Sequence, residues 1–570
     1  MKKLAPLLLL ILFSCSSTKK VIDKNNVDPW NYSITKNLVA QKGAVVSAHP
    51  LASAVGVAIL KKGGNAVDAA IGTQLALAVV YPGAGNIGGG GFMVARLANG
   101  ETLALDYREM APSSASRDMY LDANGNVVQG RSINGHLSSG IPGSIAGMFA
   151  SMKYAKLSFK ELIQPAIDLA EKGFAISERE ASSLNSIQQD LQKYNTQPSA
   201  FLNSNGWKAG DTLVQKDLAN TLKLIRDNGE AGFYKGRTAE LIVDEMKRGG
   251  GIITLDDLKN YQVKWRTPHS FDYHGYTIVS MPMPSSGGIL LHQMLKMLED
   301  KPLSSYGFLS PQAVQLMTEV ERRAFADRAE YMGDADFYKV PEAQLTNESY
   351  LKKRMNDYQP GIAGNSTQIK PGVLPMKESE QTTHLSVLDA EGNAVSVTTT
   401  LNNSYGSKTV IGGAGFFIND EMDDFSVKPG VPNLYGAVGG EANAIAPGKR
   451  MLSSMTPTLV LKDGKPFIVV GTPGGTTIPT SVFQTIVNII DFGMSADDAV
   501  NKPKFHHQWL PDQIDVERSF PEATRIALQK MGYTIKERGS IGRTEVIKKI
   551  TGDGMEAVAD KRGDDAAAGY

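Results

Sequence analysis

A single cysteine, Cys15, in 570 residues leaves no disulfide framework and no cysteine-ligated metal site. Net charge is missing too, since 59 lysines and arginines balance 59 aspartates and glutamates. That balance argues against a nucleic-acid binder and against a broadly basic, membrane-adhering surface, although it leaves a local patch open. The apolar run at residues 4–13 is too short to cross a bilayer. The glycine-rich stretch Pro82-Gly83-Ala84-Gly85-Asn86-Ile87-Gly88-Gly89-Gly90-Gly91 lacks the Gly-Lys-Ser/Thr ending of a phosphate-binding loop. The next segment, Phe92-Met93-Val94-Ala95, reads as a strand where that motif needs a helix, so close backbone packing or a turn system is expected. No histidine–carboxylate relay stands out. His506-His507 is a poor metal pair, because adjacent residues point apart on strands and share no face of a helix.

What is present is a globular composition, 42% apolar and 21% charged, with ample core. Length alone suggests about four domains, a rule that large α/β sandwiches exceed. Lys2-Lys3, the apolar run and then Leu12-Phe13-Ser14-Cys15 resemble a bacterial lipobox. They read as a signal peptide over residues 1–14, then a lipidated Cys15 and tether over 15–42. The alternative is a plain secretory signal with an incidental cysteine. Either way export is expected, as a periplasmic or outer-membrane lipoprotein if Cys15 is lipidated, with lipid as its sole membrane attachment.

The pattern around Glu380-Gln381-Thr382-Thr383-His384-Leu385-Ser386 is a hairpin. Leu385 and Val387 alternate with His384 and Ser386, and Val395 and Val397 alternate with Ser396, Thr398 and Thr400. A three-residue loop over 390–392, with Gly392 left-handed, pairs Val387 with Val395, Leu385 with Val397, Ser386 with Ser396 and His384 with Thr398. Thr382 then lies opposite Thr400. Leu388 against Ala394 is the imperfect pair, placing apolar groups on the polar face. A hydroxyl is a weak nucleophile without a base, but a threonine with a free α-amine carries its own. That amine is blocked here, so the chain is expected to cut itself between Gln381 and Thr382. An ordinary amphipathic hairpin is the alternative.

Elsewhere, 50–60 and 66–80 read as small-residue helices with Asn65 as the cap of the second. Residues 102–107 form a strand ending at Arg108, a planar fork for a carboxylate or a plain surface charge. Residues 144–357 are mostly helical, with a Ser158/Glu161 capping box and a strand at 276–280. Residues 356–377 have no period and read as an exposed, flexible linker. A short strand at 416–418 leads to an acidic cluster holding Glu421 and Asp424, either an ammonium-gathering site or a solvated turn. Residues 428–440, with Tyr435, could form a mobile lid. Asp463-Gly464 turns a hairpin whose strands are apolar on both faces. Gly474-Gly475, before a helix at 479–492, could aim two amides at one oxyanion or be simple packing glycines.

Several stretches together resemble bacterial gamma-glutamyltransferases: Gln381-Thr382-Thr383-His384-Leu385-Ser386-Val387, Asp423-Asp424-Phe425-Ser426, Lys428-Pro429-Gly430-Val431-Pro432-Asn433, Leu452-Ser453-Ser454-Met455-Thr456-Pro457 and Gly474-Gly475. So do Asp106-Tyr107-Arg108-Glu109-Met110-Ala111-Pro112 and Phe505-His506-His507-Gln508-Trp509-Leu510-Pro511. The resemblance implies an α/β fold, the four-layer αββα sandwich of N-terminal-nucleophile hydrolases, formed jointly by two autoprocessed subunits. It implies a large subunit over 43–381 and a small catalytic one over 382–570, with no cofactor and no metal. Thr382 would be the nucleophile, hydrogen-bonded by Thr400. Arg108, Ser453 and Ser454 would hold the α-carboxylate of a γ-glutamyl group. Asn402, Glu421 and Asp424 would hold its α-amine, Gly474 and Gly475 the oxyanion, and Tyr435 would sit in the lid. Enteric relatives carry glutamine where this chain has Glu421, an added charge that suits an ammonium. The implied substrates are glutathione and other gamma-glutamyl compounds, with water, amino acids or dipeptides as acceptors. A related acylase acting on another amide and a non-catalytic binding lipoprotein are the alternatives.

Overall fold

The computed structural model describes residues 28–370, 382–428 and 440–570. The expectations for residues 1–14, Cys15, Gln381 and Tyr435 lie outside the described residues.

Two seven-stranded sheets face each other, and every strand pairing within them is antiparallel. The first sheet runs Asn37–Ala40, Met555–Ala559, Glu545–Lys549, Lys465–Gly471, Thr458–Lys462, Tyr276–Ser280, His269–Tyr273. The second runs Ala566–Gly569, Ala44–Ser47, Thr383–Leu388, Ala394–Thr400, Gly90–Arg96, Thr102–Asp106, Lys264–Arg266. Alternation along each strand sends side chains into different cores. Leu385, Val387, Val395 and Val397 pack with the helices Pro50–Lys61 and Ala66–Val80. Val460, Ile468 and Val470 pack with the helices Gly287–Leu298, Pro311–Tyr331 and Thr477–Ile490. Phe92, Val94, Leu459 and Val469 fill the space between the sheets. The layers are therefore helix, sheet, sheet, helix. Each buried apolar side chain contributes about 1.5–3 kcal/mol.

The hairpin pairs as its pattern predicts, from Thr383 with Thr399 to Leu388 with Ala394, and Gly392 has φ 84°. Its polar face is not solvated but turned toward the other sheet. Ser396 Oγ donates to Val470 O (3.0 Å) and accepts from Thr458 N (3.1 Å), and Ser386 Oγ donates to Glu545 O (3.2 Å). Leu388 and Ala394, the imperfect pair, fall in the inter-sheet core. The second hairpin also forms as expected, with Asp463 and Gly464 both at positive φ. The alanine-rich helices pack closely: a methyl on Gly72 would lie 2.0 Å from Ile59 Cδ1. Asn65 caps the second of them, accepting from Val67 N and Asp68 N. The Ser158/Glu161 box is present.

Three expectations change. Residues 416–418 make only isolated bridges, Val410 with Phe417 and Gly88 with Ile418, because Phe416 and Phe417 turn into the core instead of extending a sheet. The helix after Gly475 starts at Thr477, with Pro479 in its first turn, where a missing N–H costs nothing. Residues 356–370 carry no helix or strand but are tied down rather than loose. Gln315 donates to Gln359 O and Ile362 O, and Trp509 Nε1 donates to Ser366 O (3.1 Å) and Ile369 O (2.9 Å). Those donors are distant in sequence, so no local pattern reveals them.

Gly471 ends its strand against His384, whose ring is fully buried and held by Thr398 Oγ1 (2.9 Å) and Ser386 Oγ (3.1 Å). A methyl there would lie 2.3 Å from His384 Cε1. Gly471→Ala should therefore cost about 1–3 kcal/mol. The denaturant midpoint measures this, and an unchanged midpoint would mean that the imidazole can step aside.

Candidate active site

Thr382 sits immediately before Thr383–Leu388, a central strand of its sheet, and is 5% exposed. One step beyond the pair Thr383–Thr399, the register sets it across from Thr400, in the row of His384 and Ser386. Thr400 closes its strand. Its Oγ1 accepts from Asn402 N (2.7 Å), and its carbonyl accepts from Asn86 Nδ2 (2.8 Å). Asn86 also bonds Gly89 N and Ser144 Oγ. A Cβ on Gly89 would lie 2.0 Å from Thr400 O. The glycine-rich stretch is thus a backbone wrap around the end of the Thr400 strand, the packing role expected of it.

From Gly471, beside His384, the chain enters the turn to Thr477–Ile490. Gly474 has φ 136° and Gly475 has φ 58°. Their carbonyls accept from Thr477 and Ile478. Among the described residues neither amide donates a hydrogen bond. Two unused N–H groups at a helix N-terminus are suited to a developing oxyanion.

The acidic cluster is buried, which removes the solvated-turn reading. The 3₁₀ turn Glu421–Asp424 lies over Arg108, itself 1% exposed. The guanidinium donates Nη1 to Glu421 and Nη2 to Asp424, with Leu452 O accepting at 3.1 Å and Met451 O at 3.4 Å. Glu109 Oε2 lies 3.5 Å away. Arg108 is therefore no surface charge; it is the cation of a site rich in carboxylates. Burial pushes Glu421 and Glu109 above the usual carboxylate range, with Arg108 opposing in both cases. Burial likewise pushes Asp423 up to about 6 and Asp420 up to about 7, the latter opposed by Lys408.

The remaining expected residues gather at this cluster. Asn402, at φ 72°, donates Nδ2 to Asp420 O (3.0 Å). Ser453 and Ser454 follow Leu452, whose carbonyl binds Arg108. Ser453 N donates to Pro284 O (2.9 Å), and Ser454 Oγ accepts from Arg328 (3.2 Å). Sequence reasoning missed the residues that hold these in place. Asn443 bridges the two segments, donating to Asp424 O (2.6 Å) and accepting from Leu452 N (2.9 Å). Arg328 also bonds Ser286 Oγ, and Glu109 backs the guanidinium. Only the position of Glu109 beside Arg108 offered a signal. His506 and His507 sit elsewhere, their ring nitrogens bonded to Thr480, Gln508, Trp509 and Asp512.

The helix–sheet–sheet–helix layers, with Thr382 at the head of a central strand, are those of an N-terminal-nucleophile hydrolase. The family model described as gamma-glutamyltranspeptidase matches residues 52–570. The chain is 46% identical over 550 residues to the glutathione hydrolase proenzyme of Escherichia coli K12, covering 95% of each. The structure of Helicobacter pylori gamma-glutamyltranspeptidase aligns with TM-score 0.56 at 47% identity, over 60% of this chain and 97% of that one. Cephalosporin acylase from Bacillus halodurans aligns with TM-score 0.82 at 25% identity, over 95% and 99%. The chain belongs to the gamma-glutamyltranspeptidase family.

Asp420 generates a pH prediction. Its ordinary value of 3.8 rises to about 7 on folding. Between those values the folded chain keeps a proton that the unfolded chain releases, so this contribution to stability is present below pH 4 and lost as pH rises to 7. Asp420→Asn should remove that dependence. Unfolding free energies of the two proteins should shift in favour of the variant across the window; a constant difference would show Asp420 ionised throughout.

Proposed function

We propose that the chain is a proenzyme that cuts itself at Gln381/Thr382 and then acts as a gamma-glutamyltransferase with glutathione hydrolase activity. The observation that carries this reading is the place of Thr382: it heads a buried central strand, faces Thr400, and lies two residues from the histidine against which the Gly471 strand ends. Cleavage frees the α-amine. Thr382 Oγ attacks the γ-amide carbonyl while that amine takes its proton, and the Gly474 and Gly475 amides stabilise the oxyanion. The amine leaving group departs with the proton, which from glutathione is cysteinylglycine. Water or the amine of an amino acid or dipeptide then resolves the ester on Thr382.

The Arg108 cluster suits the zwitterionic end of the donor. A γ-glutamyl group brings one carboxylate and one ammonium, and each finds a partner by exchange. The guanidinium takes the carboxylate, helped by Ser453 and Ser454, and Glu421, Asp424 and Asn402 take the ammonium. No net charge is added to a buried site, which keeps the desolvation cost down. Arg108 with the Glu421/Asp424 pair disfavours an acylase acting on a side chain without an α-amine. We further propose export as a lipoprotein anchored through Cys15.

Thr382→Ala should yield one uncut chain with no activity. Two bands from that variant on a denaturing gel would refute self-cleavage, and N-terminal sequencing of the wild-type small fragment should begin at Thr382. A wild-type preparation that stays a single chain would instead favour a non-catalytic binding protein. Arg108→Ala should weaken donor binding by about tenfold or more, as expected for loss of charge-assisted bonds. Steady-state kinetics should show this mainly in KM, and an unchanged KM would remove the assigned role.

A further inference from the structure

The amides of Gly474 and Gly475 point at one oxyanion only if two peptide planes are held in a fixed orientation. Glycine does little to hold them. Gly474 has φ 136° and Gly475 has φ 58°, a path that glycine follows without strain but that leaves the neighbouring peptides free to rotate. A trans peptide is planar, with its C=O and N–H pointing opposite ways. Whatever fixes the carbonyl of Pro473 therefore aims the amide of Gly474. Whatever fixes the carbonyl of Gly474 aims the amide of Gly475.

Two buried threonines hold those carbonyls. Thr472 Oγ1 donates to Pro473 O (2.8 Å). Thr477 Oγ1 donates to Gly474 O (2.7 Å), a carbonyl that Thr477 N also reaches (3.1 Å). The first hydroxyl has its direction set from outside the loop. Arg543 N donates to Thr472 Oγ1 (2.7 Å), which engages the oxygen as acceptor and leaves its proton for Pro473 O. That close approach needs glycine at 542, which has φ 65°. A Cβ there would lie 2.9 Å from Thr472 Oγ1 and 2.7 Å from Ser481 Oγ. A Cβ on Gly474 would lie 2.4 Å from Thr477 Oγ1, so the second hydroxyl is packed directly on the loop.

We propose that Thr472 and Thr477 are positioning residues. Their hydroxyls lock the Pro473–Gly474 and Gly474–Gly475 peptides with both N–H groups aimed at the oxyanion formed on the γ-carbonyl. This role rests on the proposed gamma-glutamyl transfer by Thr382 and on the oxyanion role given there to the two amides. Formation and breakdown of the ester on Thr382 each pass through an oxyanion, so the hydroxyls act on both half-reactions. The charge they serve is absent from the bound donor, so their loss lowers kcat and leaves KM nearly unchanged.

The test is steady-state kinetics with glutathione on the cleaved wild type and on four variants. Thr472→Val and Thr477→Val keep the branched shape and lose the hydroxyl. Each should lower kcat about tenfold, less than the hundredfold or more typical of a donor removed outright, with KM within about twofold. Thr472→Ser and Thr477→Ser keep the hydroxyl and should stay within about threefold of the wild-type kcat. A boronic acid analogue of glutamate is the second probe. Thr382 Oγ adds to its boron and passes its proton to the α-amine, giving a tetrahedral anion that resembles the oxyanion state. It should bind the valine variants about tenfold more weakly than the wild type.

A wild type that stays uncut or inactive overturns the proposed function and this role with it. An active wild type that binds the boronate no more tightly than glutathione overturns the oxyanion assignment. With both intact, an unchanged kcat in both valine variants overturns the positioning role alone. So does a loss that serine does not restore, which would mark the threonines as structural. Should Thr472→Val fail to fold or cut itself, Thr477→Val decides, because among the described residues its hydroxyl serves only Gly474 O, which keeps the bond from Thr477 N. If neither valine variant is obtained, crystals of the wild type with the boronate decide. A boronate oxygen on the Gly474 and Gly475 amides, with both hydroxyl–carbonyl bonds kept, supports the role; an oxygen elsewhere or either bond broken refutes it.

Discussion

Thr383–Leu388 has no exposed residue, and its two faces make opposite demands. One face supplies Leu385 and Val387 to a helix-covered core. The other supplies His384 and Ser386 to the gap between the sheets, where each polar group must find a partner or cost roughly 1–3 kcal/mol. A slip of one residue would put leucine among hydroxyls and histidine among alanines. The register is therefore strongly determined, and with it the place of Thr382. The histidine is kept neutral, its pKa lowered by burial to about 3, so it serves as a hydrogen-bonding wedge and not as a charge.

The same register explains why a chain broken before Thr382 would not fall apart. Thr383–Leu388 lies between Ala44–Ser47 from upstream and Ala394–Thr400 from downstream. Both sheets interleave strands from the two sides of the cut, and Tyr570 O accepts from Gln41 N (3.0 Å) and Lys42 N (2.8 Å). Separation would open every layer. Upstream of the cut, Trp509 and Asp512 of the later segment hold Ser366 and Ile369 of the earlier one.

Around Arg108 the fold concentrates carboxylates that would repel one another if all were ionised. One guanidinium bonds Glu421 and Asp424 and stands near Glu109. Such a cluster is an expensive way to stabilise a fold. On the proposed function that cost is offset by a ligand carrying both charges, which would exchange partners with the cluster.

Local signals in the sequence sufficed for the hairpin register, the Asn65 and Ser158 caps, the Asp463-Gly464 turn and the candidate nucleophile, because each depends on neighbours a few residues apart. Arg108 and the acidic turn were visible as residue types, and the family resemblance implied roles for them. Their burial and direct pairing needed the tertiary structure, since 313 positions separate Arg108 from Glu421. The same holds for Asn443, Arg328 and the anchoring of residues 356–370, whose partners come from remote segments. Periodicity records which face of a strand is buried, but not what the burying surface carries. That depends on which segments the chain brings together in three dimensions, and here it turned a polar hairpin face and an acidic turn into the interior of a site.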